Sequence, residues 1–163
     1  MGELFSRYGI TVSRADVAQV RHHLEAAASL ASKPDERALQ TIYALAHHRL
    51  TMSQLDTAYS YLTLLAFWAP TNSDYLRALG RVQQLLGDPQ GALAILTMAL
   101  SLGDDSPELG LCIAECHFAC QQRELALRVL LEAELACGAD AQHAAVCQRI
   151  RALAQLARDS ISV

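Results

Sequence analysis

Residues 73–103 read SDYLRALGRVQQLLGDPQGALAILTMALSLG, and their reading decides the fold. Gly87-Asp88-Pro89 divides the stretch. A glycine leaves one helix, an aspartate caps the next, and a proline takes its first helical position, where the missing N–H costs nothing. Leu76, Leu79, Val82 and Leu86 recur at helical spacing before this break, and Leu93, Leu96, Met98 and Leu100 follow it. Two helices joined so briefly must lie antiparallel. They approach closely only where small side chains meet, and Gly80 and Ala92 are the small residues available. A step of 34 residues backwards turns Leu79, Gly80, Ala92, Leu96 and Ala99 into Leu45, Ala46, Ala58, Leu62 and Leu65. The same step forwards gives Ile113, Ala114, Ala126, Leu130 and Ala133, again without an insertion.

A period of 34 with this order of small and large residues is the tetratricopeptide pattern. The expected fold class is therefore all-α, a tetratricopeptide-repeat superhelix of three helix pairs over residues 35–138. An N-terminal arm and helix (1–34) and a C-terminal capping helix and tail (139–163) flank it. The first pair starts after Pro34-Asp35. Its first helix carries Leu39, Ile42, Tyr43, Leu45, Ala46 and Leu50; Ser53 with Asp56 is expected to cap its second, which runs to Pro70. Asn72-Ser73 opens the second pair and Gly103 closes it. Ser106-Pro107 opens the third, whose second helix spans about residues 124–136 and stops at Gly138. No stretch alternates as a strand does.

The ends read differently. Residues 1–12 form a loose arm. Ser13 with Asp16 then reads as an N-cap, and Val17, Val20, Leu24, Ala27 and Ala31 make a narrow apolar stripe. That stripe either caps the first repeat or forms a self-association surface, since both bury the same residues. Asp140 is expected to cap a last helix, with Val146, Ile150, Leu153 and Ala157 on one stripe and Gln148, Arg149, Arg151, Gln155 and Arg158 elsewhere. Such a helix covers the open apolar end that a repeat array leaves.

Composition narrows the function. The 163 residues make one domain, 52% apolar and 18% charged, with a net charge of −4. The arginines are scattered, which argues against nucleic acid. No apolar run reaches the ~18 residues of a membrane span, and no signal architecture opens the chain, so a protein that remains in the cytoplasm is expected. Five cysteines, an odd count, read as reduced thiols. Cys112, Cys116 and Cys120 drift round one helix as packing residues and do not close a tetrahedron, so no metal or cofactor is expected. The pairs His22-His23 and His47-His48 each diverge by about 100° on a helix. No phosphate loop, nucleophile elbow or zinc-protease motif occurs, and Cys116 beside His117 is not a catalytic pair by adjacency. No catalysis is expected.

Binding is the remaining function. In a stacked array the first helices line the concave side. Helical spacing places Gln40, Tyr43, His47 and Leu50 there from the first repeat, Asp74, Arg77, Arg81 and Gln84 from the second, and Glu108, Leu111, Glu115 and Phe118 from the third. Tyr43, Leu50, Leu111 and Phe118 offer apolar pockets; Arg77, Arg81, Gln84 and Glu115 offer hydrogen bonds to an extended backbone. The mixture suits a peptide with apolar anchors at intervals. A clamp for C-terminal carboxylates is disfavoured, because the corresponding positions are Tyr43, His47, Ala78, Glu108 and Cys112, none of which supplies it, and Glu108 repels an acid.

Leu39-x-x-Ile42-Tyr43-x-Leu45-Ala46, Leu79-Gly80 and Ala114-Glu115-Cys116 together resemble the class II chaperones of bacterial type III secretion. The likeness covers about residues 39–138 and includes a helix of suitable size at each end. It implies a cytoplasmic, non-enzymatic bacterial protein involved in virulence. Such a protein binds an extended segment of a secreted translocator in its groove, keeps it soluble until export, and often dimerises through the N-terminal helix, here Val17, Val20 and Leu24. It also implies groove positions for Tyr43 and Glu115. The aromatics that the family often places near His47, Leu50 and Tyr75-Leu76 are reduced here to Tyr75. A chaperone of a needle or rod subunit, or a general repeat scaffold, is the alternative expectation.

Overall fold

The computed structural model describes residues 34–137 and 143–161, which are helical with no strand among them. The helices are α1 (Glu36–Thr51), α2 (Leu55–Trp68), α3 (Ser73–Leu85), α4 (Pro89–Ser101), α5 (Pro107–Ala119), α6 (Arg123–Ala136) and α7 (Ala144–Ile161). They pair as α1 with α2, α3 with α4, and α5 with α6, and each pair stacks on the next. The N-terminal arm, the cap at Ser13 and Asp16, the stripe of Val17, Val20 and Leu24, and the cap at Asp140 fall outside the described residues.

Local chemistry sets the helix starts. Asp35 accepts from the Ala38 N–H, Asn72 from Tyr75, Asp88 from Gly91 and Ser106 from Leu109, each satisfying a donor that a helix N-terminus leaves open. Pro89 and Pro107 stand at the first helical positions. The expected cap at Ser53 is not formed. α2 starts from Gln54, whose side chain makes no capping bond, while Ser53 has a φ of 57°. Ser53, Gly87 and Gln121 share one register position, and all three adopt left-handed backbone (57°, 89° and 60°). The N–H of the following residue reaches back each time, Gln54 to Arg49, Asp88 to Gln83 and Gln122 to His117, closing the first helix in a Schellman-type turn. Ser53 therefore ends a helix instead of beginning one. Only the second repeat puts glycine at this position.

The helix pairs meet where the sequence placed its small residues. Ala46, Ala58, Ala92, Ala114 and Ala126 are buried without exposure, beside Leu62, Leu96 and Leu130. At Gly80 an added Cβ would lie 2.7 Å from Cγ and Cδ2 of Leu96. Leu45 departs from its register mates: it is 42% exposed, whereas Leu79 and Ile113 are buried. The latter two belong to repeats with another repeat on their N-terminal side, whereas α1 is the first helix among the described residues.

α7 packs on α6 and on α5. Cys147, Ile150, Ala154 and Ala157 form its buried stripe, and Val146 and Leu153 are partly buried beside it. The reading of all five cysteines as thiols is corrected here. Cys137, at the end of α6, and Cys147 form a disulfide with their Cα atoms 5.8 Å apart, while Cys112, Cys116 and Cys120 are free. Helix turns bring the pair within bonding reach, which ten residues of sequence separation do not reveal. Among the described residues no helix is long and apolar enough to cross a membrane.

Candidate partner-binding face

α1, α3 and α5 present the twelve residues singled out above in four columns of matching register: Gln40, Asp74 and Glu108; Tyr43, Arg77 and Leu111; His47, Arg81 and Glu115; Leu50, Gln84 and Phe118. The first repeat contributes an aromatic cluster. Tyr43 meets His47 edge-on with ring centroids 4.5 Å apart, and Tyr75 with centroids 4.9 Å apart. Burial raises the Tyr43 pKa, and nearby Asp74 adds to the effect, so its phenol stays protonated and its hydroxyl remains a donor. Leu50 and Phe118 are half-buried against the core, and Leu111 is buried. Gln40 is exposed and lies 3.5 Å from Glu36 of its own helix.

The charged residues are not left waiting for a backbone. Arg77 donates to Asp74 at 2.5 Å, to Asp104 at 3.0 Å and to the Ser106 hydroxyl at 2.8 Å. Arg81 donates to Gln84 at 2.8 Å and pairs with Glu115 one repeat on. Arg149 of α7 closes on the other Glu115 oxygen at 2.5 Å. His143 lies 2.6 Å from Glu108. The Glu115 side chain is only 12% exposed, between arginines 30% and 57% exposed. One charge-assisted hydrogen bond, from Arg81, and one ion pair, with Arg149, therefore tie α3, α5 and α7 through one carboxylate.

Sequence reasoning missed Asp104, His143 and Arg149 as part of this face. Arg149 was assigned to the polar outer side of the last helix. Nothing in the spacing of that helix reports that its N-terminal turns fold back over α5. His117 is a second surprise: it is fully buried, with Nδ1 2.7 Å from Gln122.

The thiols on this side of α5 are chemically quiet. Burial is the main cause that pushes the Cys112 pKa up to about 11, with Arg81 opposing and Glu115 adding. Burial also pushes Cys116 up to about 12, reinforced by Cys112 and Cys120. A raised thiol pKa leaves the protonated, unreactive form dominant at every pH below it. At pH 8 iodoacetamide should leave fully buried Cys116 unmodified in the folded protein, while the same exposure alkylates it in urea. Mass spectrometry reads the difference, and prompt alkylation in the folded state would contradict this burial. The described residues contain no group of three metal-ligating side chains.

Among solved structures the translocator chaperone SycD of Yersinia enterocolitica superposes with a TM-score of 0.75 at 16% identity, over 79% of this chain and 98% of that one. The chain has the fold of the type III secretion translocator chaperones. PcrH of Pseudomonas aeruginosa gives a TM-score of 0.72 at 22% identity, over 77% of this chain and 95% of its own. PcrH in complex with the chaperone-binding region of PopD gives 0.73 at 22% identity, over 78% and 96%. No protein-family model and no curated protein matches the sequence.

Proposed function

We propose that this protein is a cytoplasmic chaperone of a bacterial type III secretion system, holding an extended segment of a translocator along the face of α1, α3 and α5 until export. The observation that carries the reading is the shared fold over more than three-quarters of the chain with chaperones solved around such segments, PcrH with PopD and SycD with a YopD peptide. The face supports it chemically. Tyr43, Leu50 and Phe118 offer half-buried apolar surface at its two ends. Between them Arg81, Glu115 and Arg149 form a fixed polar rung whose remaining donors orient a backbone. An export chaperone must hold its client without folding it, and an extended segment in a groove of preformed side chains meets that need. In this reading residues 35–138 carry the client, 139–163 cap the array, and the helix of Val17, Val20 and Leu24 caps or dimerises. The chain performs no catalysis.

Affinity capture from the native bacterial cytoplasm, followed by mass spectrometry, tests it. A single co-purifying protein with long apolar segments, insoluble without this chain, is the expected result. A small secreted subunit without such segments would reassign it to needle or rod subunits, and a set of unrelated folded proteins would make it a general scaffold. Tyr43→Ala and Phe118→Ala should each weaken capture about tenfold, as loss of a buried anchor does, with helicity by circular dichroism unchanged. Unaltered affinity in both variants would move the site to another face.

A further inference from the structure

We propose that a cavity between α4, α5 and α6 is a second docking site. It would seat one leucine- or phenylalanine-sized side chain of a protein segment that carries lysine or arginine beside it. The cavity measures about 210 Å³; buried Leu100, Leu109, Ile113 and Val129 line it with half-buried Glu132, and exposed Asp105 stands at its edge. Its origin is visible in the register. Gly110, Glu132 and Ala136 occupy the positions that Leu76, Met98 and Leu102 hold one repeat earlier. Three bulky apolar side chains are thus replaced by none, a charged one and a methyl. A larger residue at 110 cannot restore the bulk, because a Cβ there would lie 2.5 Å from the Cβ of Ala133. The close contact of α5 with α6 and the void beside it therefore come together.

The site is separate from the client face. On α5, Glu108, Leu111, Glu115 and Phe118 lie on one side, and Leu109, Gly110 and Ile113 lie about half a turn away. Its mouth is preformed, since Arg77 fixes Asp104 and Ser106 at 3.0 and 2.8 Å. An apolar cavity of roughly 150 Å³ accommodates benzene, so this one takes a single ring or branched aliphatic group. Leu135, 87% exposed, lines the same cavity and extends apolar contact beyond it, which suits a side chain projecting from a longer segment. Exposed Asp105 at the edge of the cavity supplies a negative charge that favours a basic neighbour and repels an acidic one.

The test titrates capped tripeptide amides into the full chain and follows methyl resonances by NMR. Arginine–leucine–arginine should shift Ile113, Leu109 and Val129 with a dissociation constant on the order of 1 mM. Arginine–serine–arginine and glutamate–leucine–glutamate should not shift them. Asp105→Asn, at an exposed turn position, should weaken the first peptide about threefold, and Ala136→Leu, which restores the bulk of the earlier repeat, should abolish its effect. Absence of shifts at these methyls, equal binding of the acidic peptide, or equal binding to Ala136→Leu would each overturn the proposal.

Discussion

Replacing Leu96 with alanine is expected to lower the unfolding free energy by about 3–4 kcal/mol. Leu96 is without exposure and lies across from Gly80, where no other side chain exists to relax into the space. Against a total stability of roughly 5–15 kcal/mol this is a large single loss. The pairing with Gly80 makes the prediction sharper. Gly80→Ala alone places a methyl group 2.7 Å from Leu96 Cγ and Cδ2. Overpacking of this kind costs about 1–3 kcal/mol and outweighs the gain of about 1 kcal/mol in helix propensity. In the Leu96→Ala background those two carbons are gone, so the same substitution should stabilise. Urea melts of the four proteins give the coupling. If Gly80→Ala is equally destabilising in both backgrounds, the helix pairs do not meet at this contact.

The second large effect is expected at Glu115. Glu115→Lys would set a third cation between Arg81 and Arg149 in a site whose own side chain is 12% exposed. Removing one member of a buried pair costs about 3–5 kcal/mol. Arg149 is more than half exposed and can turn to water, which reduces the expected loss to about 2–3 kcal/mol. Glu115→Gln keeps the shape and one acceptor and should lose about 1 kcal/mol. The signature is electrostatic: in 1 M salt, where the screening length falls to about 3 Å, the gap between the two variants should narrow. Hydrogen exchange should show α7 opening first, because Arg149 and His143 are its polar ties to α5. An α7 as protected in Glu115→Lys as in the parent chain would mean that the Cys137–Cys147 bond and the buried stripe alone hold it. Client binding, on the reading proposed above, should fall at least tenfold in Glu115→Lys, since the polar rung at the centre of the face is lost.

Both sites illustrate how legible the chain was. The Gly80–Leu96 contact could be anticipated because a helix pair repeats its geometry every 34 residues, and steric demands recur with it. The caps at Asn72, Asp88 and Ser106 were equally plain, since capping depends on residues three apart. Ser53 misled because serine before an acid resembles a cap, and only backbone geometry tells a left-handed helix end from a cap one residue later. Helical spacing alone selects the twelve residues proposed for the face. That Arg81, Glu115 and Arg149 bond one another does not follow from spacing, because their pairing depends on where three separate helices come to rest.

The sequence by itself determined the all-α class and the three stacked pairs, because each is a consequence of local propensity or of a period that needs no long-range information. Only the tertiary structure decided the path of α7 over α5 and α6, the Cys137–Cys147 bond, the closure of Glu115 between two arginines and the void left beside Gly110. These are contacts between elements whose separation in sequence carries no signal, fixed by how buried surfaces fit once the repeats are stacked.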